Sequence, residues 1–418
     1  MVAEIIAVGS EMLSPFRQDT NSLYLTAGLN DLGVTVGFKT IVGDNLEHLT
    51  GAARVALERA DIVLFSGGLG PTEDDLTREA AAAALGRELH PDPAIIASLY
   101  KRFAERRIAM PPNNAKQADM IDGAELLENA YGSAPGQFLA TEFQGRKRFV
   151  ALLPGPPKEL KPMFDQQVKP RLAKLLPERF LARRLLRMAL IPESTVDART
   201  APIYKEYADV ETTILAGSGE IQLHFQAAAG TLSDAQARVD EVAERIEQEM
   251  GDDVFSARGE SLEEVVLLML GMRHFTLALA ESCTGGLLAE RLTAIPNSSR
   301  AFVGGVVAYT PEMKTQFCGV PPELLDRQGS VSEAVARALA EGIRQGTGAS
   351  FGMGITGLAG PGGGAPGPDE TRPVGLVYLA LADGSVTEAK EVMLPGDRER
   401  IRWWATQHAL EMLRRRLL

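Results

Sequence analysis

The chain has 418 residues, 45% hydrophobic and 23% charged, proportions that build sizeable cores and exclude a disordered or fibrous polypeptide. A net charge of −12 argues against a general nucleic-acid binder, which needs basic surface to displace counterions. No run approaches the roughly 18 apolar residues that span a bilayer, so no membrane partner is expected.

Two cysteines, Cys283 and Cys318, cannot make a disulfide framework, and five scattered histidines offer no metal pair. Met1-Val2-Ala3-Glu4 has no basic segment ahead of an apolar one, so no signal peptide is read and a reducing cytoplasm is the expected compartment. The basic clusters Arg183-Arg184 and Arg414–Arg416 read as solvated element ends.

In chain order, Glu4–Val8 reads as a buried strand, Asn21–Leu32 as a helix ended by Gly33, Leu46–Glu58 as a helix and Asp61–Phe65 as a second strand. That strand runs into Ser66-Gly67-Gly68-Leu69-Gly70-Pro71-Thr72, and a helix is expected from near Glu73 through the run Ala80–Ala84. A strand Phe149–Leu153, then Pro154-Gly155-Pro156-Pro157 and a helix to about Leu175 close the region. Strand–helix alternation implies an α/β, doubly wound parallel sheet with ligands at the carboxyl ends of its strands.

The texture then changes. A strand Arg184–Ile191, a helix Ser194–Tyr204, a hairpin of Thr212–Ala216 and Ile221–Ala227 around Gly217-Ser218-Gly219, and a helix Asp234–Met250 make a small α+β unit. It is KH-like in arrangement but has no Gly-x-x-Gly clamp, which gives RNA binding little support. After a polar linker at Ser256–Glu260 come a helix Leu262–Leu270, a strand Thr276–Ala280, a helix to Thr293, a strand Val303–Tyr309, a helix Glu333–Arg344 and a strand Phe351–Ile355. A Gly/Pro loop from Gly357 to Pro373, strands Gly375–Ala382 and Thr387–Leu394, and a helix Arg398–Leu417 complete the chain. Three domains are expected, at 1–175, 176–256 and 257–418.

Two segments carry chemistry. Glycines between the strand and helix at Gly67–Thr72 let backbone amides approach an anion, and Asp74 and Asp75 follow at once. Adjacent carboxylates beside an anion are costly unless a divalent cation bridges them, which points to magnesium and a phosphorylated ligand. The plainer reading is that Glu73, Asp74 and Asp75 complement a helix dipole and Thr72 caps it.

In the second segment, Glu281-Ser282-Cys283-Thr284-Gly285-Gly286 puts a hydroxyl on a strand-to-helix turn, where a nucleophile is exposed and amides can receive an oxyanion. The plainer reading of a lone Ser282 is a helix N-cap, and Cys283 competes as nucleophile but lacks a nearby base. Lys314 serves as that base only if burial makes it neutral; otherwise it is a surface lysine. Thr356, ending another strand, either reaches the same crevice or satisfies the glycine loop.

The segment Gly67–Thr77 resembles the pterin-binding loop of the molybdenum-cofactor biosynthesis domain, in the variant found in the CinA family (competence/damage-inducible protein A). Further resemblances are Glu11, Asp19-Thr20-Asn21, Gln117-Ala118, Asn129 with Gly132–Gly136, and Leu153-Pro154-Gly155-Pro156-Pro157 with Glu159. Ser14-Pro15-Phe16 departs from a usual glycine. At the other end, Glu281–Gly286, Ser298-Ser299, Tyr309 with Lys314, Thr356–Pro361 and Pro373-Val374-Gly375 resemble the CinA C-terminal domain; Asn297 and a slightly long Gly362–Asp369 loop depart from it.

The resemblance implies a molybdenum-cofactor-biosynthesis-like N-terminal domain with metal-dependent ADP-ribose pyrophosphatase activity. It implies a KH-like middle domain and a C-terminal nicotinamide-nucleotide amidase acting on nicotinamide mononucleotide (NMN). Carried over by position, Ser282 attacks the carboxamide, Lys314 moves the proton, and Tyr309 and Thr356 orient Ser282 and Lys314 or the amide. Cys283, Thr284, Gly285, Gly286, Ser299 and Gly357 border the substrate, and Arg398, at the start of the last helix, either takes its phosphate or is a surface residue. In the N-terminal domain Glu11, Asp19, Asn21, Gly67, Gly68, Gly70, Thr72, Gln117, Asn129, Gly136, Pro154 and Glu159 border the nucleotide. There Asp74 and Asp75 hold magnesium or another divalent cation, alone or with a monovalent ion; the amidase site needs none. A homodimer is implied. The alternatives are a pure pterin or nucleotide binder at the N-terminal site, or a competence and DNA-damage partner, which the acidic charge opposes.

Overall fold

The computed structural model describes residues 1–105, 107–177, 179–217, 219–360 and 368–418. Ser218 of the expected hairpin and residues 361–367 of the expected Gly/Pro loop lie outside them. The chain divides into two compact units, Met1–Ala182 with Ala228–Gln236, and Arg183–Ala227 with Ala237–Leu418.

In the first unit a six-stranded sheet runs in the order Thr35–Val42, Val2–Val8, Ile62–Ser66, Arg146–Leu153, Gly136–Phe143, Glu125–Leu127. The first four strands are parallel and the last two antiparallel. The sheet is therefore mixed rather than wholly parallel. Its inner strands are apolar on both faces because helices cover both. Along Ile62-Val63-Leu64-Phe65, Val63 and Phe65 pack with Leu49, Ala53 and Ala80, whereas Ile62 and Leu64 pack with Leu25, Leu29 and Phe164.

Two helix expectations need correction. The helix placed near Glu73 begins at Thr77, so Glu73, Asp74 and Asp75 sit in the preceding turn. The cap residue is Leu76, and Thr72 caps nothing. The helix running to Leu175 is interrupted: Pro157–Met163 and Lys169–Leu175 are α-helical, and Phe164–Val168 is a π turn. Pro162 and Pro170 lack the N–H that an unbroken ladder requires.

The second unit carries most of the four-stranded sheet Val210–Gly217, Glu220–Ala229, Phe180–Ala189, Val254–Ser256, and a five-stranded sheet. The latter has the order Phe302–Val307, Leu277–Glu281, Phe351–Gly357, Leu376–Ala382, Thr387–Met393. Its first three strands are parallel and the remaining pairings antiparallel. Leu277 and Leu279 pack beneath helices Leu262–Met272 and Arg398–Leu417, while Ala278 and Ala280 face helix Glu333–Thr347. The register sets Glu281 beside both Val307 and Ile355, so three carboxyl ends meet at one edge.

The basic clusters are solvated only in part: Arg183, Arg415 and Arg416 are exposed. Arg184 pairs with Asp240 and Glu247, and Arg414 is buried against Glu411. Among the described residues no helix is long and apolar enough to cross a membrane.

Candidate functional site

Ser282 follows the strand Leu277–Glu281, and its amide donates to Ile355 O on the neighbouring strand (2.9 Å). Lys314 lies on helix Pro311–Cys318, capped by Thr310, and its side chain is only 1% exposed, not the surface lysine of the plainer reading. Its Nζ stands 2.9 Å from Ser282 Oγ, 2.8 Å from Ala308 O and 3.2 Å from Tyr309 O. An ammonium has three donors for these three oxygens; a neutral amine keeps two N–H groups for the carbonyls and turns its lone pair to the hydroxyl.

Burial lowers the Lys314 pKa to about 8, although the nearby Cys283 and Cys318 thiols and Asp369 oppose the shift. Burial also pushes the Cys283 thiol up to about 12, which keeps it protonated and disfavours it as a nucleophile. Ser282 is not a helix cap either. The helix Leu287–Thr293 has Gly286 at its cap position, and the buried Glu281 carboxylate accepts from the amides of Gly286, Leu288 and Ala289.

A cavity of about 110 Å³ opens on this pair. Of the expected residues, Ser282, Cys283, Tyr309, Lys314, Thr356, Gly357 and Arg398 line it. Several assignments change. Gly285 N donates to Ser282 O and Gly286 N to Glu281, which leaves for an oxyanion the amides of Cys283 and Thr284, both facing the Cys283 sulfur; Thr284, Gly285 and Gly286, expected to border the substrate, do not line the cavity. Tyr309 reaches Lys314 through its carbonyl, while its half-exposed hydroxyl accepts from Arg398 (2.8 Å). The Thr356 hydroxyl donates to Ser330 O (2.7 Å), so it orients neither Ser282 nor Lys314 directly. Ser299 is exposed and precedes the strand Phe302–Val307, whose first residue pairs with Leu277. It therefore sits at the amino end of the sheet, away from Ser282.

In the first unit Gly67, Gly68 and Pro154 sit at the carboxyl ends of adjacent strands. Gly67 and Gly68 have φ of +106° and +68°, and Cβ atoms there would stand 2.4 Å from Val8 O and 2.2 Å from Thr77 Oγ1, so only glycine fits. The Gly67 amide donates to Leu153 O, which removes it from the expected anion cradle. A side chain on Gly70 would collide with Asp75, whose carboxylate accepts from the Thr72 amide and hydroxyl. Asn21 bridges Ser66 Oγ and Gly155 O, with its own Oδ1 buried and unpartnered, as is Gln117 Oε1. Asp19 caps helix Thr20–Asn30, and Glu11 is exposed with its carboxylate folded over Gly9.

Asn129 and Glu159 are hydrogen-bonded (2.8 Å) and border a separate cavity of about 790 Å³ with Arg102 and Tyr131. The Gly67–Asp75 loop does not line that cavity, and Gly136 serves the sheet, seated between Met163 and Leu152 O. Among the described residues no three His, Cys, Asp or Glu groups form a metal cage. Asp74 is exposed, with its carboxyl held below the usual range by the Thr72 hydroxyl, and Asp75 has one oxygen outside the Thr72 contacts. That donor set suits magnesium only where a substrate phosphate and water complete the shell.

Three family models match the chain: "Probable molybdopterin binding domain" at residues 4–174, "Damage-inducible protein CinA KH domain" at 183–256 and "CinA C-terminal domain" at 259–417. A CinA-like protein of Acidobacterium capsulatum is 58% identical over 418 residues, all of both chains. The chain belongs to the CinA family. A CinA-like protein of Koribacter versatilis is 56% identical over 418 residues, again all of both chains. A crystal structure of CinA from Thermoplasma acidophilum is 35% identical, covering 41% of this chain and 98% of that one, with a TM-score of 0.37.

Three CinA side chains escaped the sequence reading. Asp369 lines the Ser282 cavity and accepts from the amides of Ser330 and Val331, but it lay within an unpatterned Gly/Pro stretch. Arg78 is fully buried behind the glycine loop and donates to Leu69 O (2.5 Å). Its position in an alanine-rich helix carried no signal. Arg402 donates twice to Thr284 O across 118 positions, a partnership that spacing cannot reveal.

Proposed function

We propose that this CinA-family chain hydrolyses the carboxamide of nicotinamide mononucleotide at Ser282, with Lys314 as the base. The observation that carries the reading is the Lys314 amine, buried and held by two carbonyls, 2.9 Å from the Ser282 hydroxyl.

Ser282 Oγ attacks the carboxamide carbon as Lys314 Nζ takes its proton, and the amides of Cys283 and Thr284 receive the oxyanion. One such donor is worth about 3–4 kcal/mol. Collapse breaks the C–N bond, and the leaving nitrogen takes the proton from Lys314 and departs as ammonia. Water then attacks the acyl ester, Lys314 accepting its proton and returning it to Ser282. The products are nicotinate mononucleotide and ammonia, so atoms and charge balance.

A cavity of about 110 Å³ takes the flat carboxamide head rather than a whole nucleotide. Arg398 borders both this cavity and an adjoining groove of about 1230 Å³, which gives the ribose phosphate a cationic exit. Ammonia release from NMN by the full chain, present in wild type and absent in Ser282→Ala, tests the reading; equal rates overturn it.

A second activity, diphosphate cleavage of ADP-ribose, is supported by the exposed, anionic Asp74 beside the glycine loop. A divalent cation there would neutralise phosphate charge. Asp74 and the free Asp75 oxygen would hold it, and Lys116, 3.3 Å from Thr72 O, would add positive charge to the loop. Asp74→Ala with Asp75→Ala should stop cleavage, as should a chelator. Tight nucleotide binding without cleavage would favour a purely binding role.

A further inference from the structure

We propose that Arg402 is a positioning residue for the turn that carries Ser282; the inference rests on the amidase reading. Arg402 lies on helix Arg398–Leu417, one turn beyond Arg398. Its Nε and Nη2 donate to Thr284 O at 3.1 and 2.7 Å, and the Leu287 amide donates to the same oxygen at 3.2 Å.

The peptide joining Thr284 to Gly285 is therefore clamped at both edges. Its oxygen is held by the guanidinium, and its N–H, on Gly285, donates to Ser282 O at 3.0 Å. That second bond closes the turn Ser282–Gly285, with the amides of Cys283 and Thr284 inside it. Gly285 and Gly286 take φ of +59° and +89°, which glycine accepts but does not prefer over its other conformations. Two consecutive glycines leave the turn only the Gly285–Ser282 and Gly286–Glu281 bonds to hold it, and a charge-assisted, two-point contact adds a hold from outside.

Freed from Arg402, the turn drifts. Ser282 Oγ moves relative to Lys314 Nζ, and the two remaining amides lose their aim. A displacement of 1 Å at the reacting atoms costs about 10²-fold. Arg402 does not border the 110 Å³ cavity but does line the adjoining groove of about 1230 Å³, so a loss of turnover reports the clamp and a rise in KM alone reports contact with the phosphate. Lysine offers one point charge instead of a fork, and Arg402→Lys should therefore fall between wild type and Arg402→Ala.

Two readouts on the full chain test this: kcat and KM for ammonia release from NMN, and the rate at which a fluorophosphonate labels Ser282. The labelling needs no nicotinamide. The expected result is a kcat lower by about 10²-fold in Arg402→Ala, slowed labelling, and an intermediate Arg402→Lys. Wild-type labelling and turnover in Arg402→Ala, or a loss confined to KM, overturns the proposal. If wild type is labelled at Ser282 but leaves NMN intact, the substrate reading fails, and the labelling rates still decide for or against Arg402. Should Arg402→Ala not fold, Arg402→Lys carries the same test: slowed labelling supports the clamp and wild-type labelling refutes it.

Discussion

Ser282 Oγ and Lys314 Nζ lie 2.9 Å apart although 32 positions separate them in the chain. They meet because the strand before Ser282 runs parallel to Phe302–Val307, whose carboxyl end turns into the helix that carries Lys314. The Cys283 thiol, next along the chain, is held protonated by burial, so the hydroxyl is the group left to activate.

That contrast separates two substitutions. Ser282→Ala should lower ammonia release from NMN by at least about 10³-fold. Cys283→Ser should keep it within about threefold, since the thiol takes no part in the chemistry. A steady-state assay on both variants checks the pair; loss of activity on Cys283→Ser alone would transfer the nucleophile.

Asp369 acts on Lys314, the proposed base, through its charge. Its negative charge favours the protonated Lys314, working against burial. Asp369→Asn removes the charge and keeps an oxygen for one of the two amides, Ser330 and Val331, that bond separate carboxylate oxygens, so the Lys314 pKa should fall. The rising limb of kcat/KM then moves to lower pH. A pH–rate profile checks the direction, and a shift to higher pH would contradict it.

On the proposed reading Arg398 meets the substrate phosphate, whereas the Tyr309 hydroxyl meets Arg398. Arg398→Ala should raise KM for NMN about tenfold and leave the KM for nicotinamide riboside, which has no phosphate, nearly unchanged. Tyr309→Phe loses only the contact with Arg398, because the tie to Lys314 runs through the backbone carbonyl. Its kcat should stay within about threefold of wild type.

Stability has its own pH signature at His408. Burial, then Lys390, lowers its pKa to about 4 from the ordinary 6.5, and Nδ1 is buried without a partner. The unfolded chain takes the proton first, so the stability contributed by neutral His408 is full above pH 6.5 and is lost as pH falls toward 4. His408→Phe should flatten that part of a plot of Tm against pH; an unchanged slope would assign the acid sensitivity elsewhere.

Much of the C-terminal site was legible because its parts are local. An apolar run entering Glu-Ser-Cys-Thr-Gly-Gly reads directly as strand, turn and helix. What escaped depends on which elements the fold makes neighbours. Helix Pro311–Cys318 carries Glu312, Lys314, Thr315 and Gln316 in eight residues, so nothing in its pattern marks Lys314 as buried. Ser299 sat close to the motif in sequence, yet strand direction sends it to the opposite sheet edge. The strand Thr35–Val42 was missed because it lies at an edge, mostly exposed, and lacks the apolar run of its inner neighbours. The strand Gly136–Phe143 is interrupted by Gln137, Thr141 and Glu142, polar groups that the sheet buries or exposes by register rather than by pattern.

The most direct test of the account is kcat/KM for ammonia release from NMN, measured from pH 6 to pH 9.5 on wild type. A neutral Lys314 acting on Ser282 predicts a rate that climbs with a single ionisation near 8 and then levels off. A rate that is flat or falling across that range would contradict an amine base at this serine.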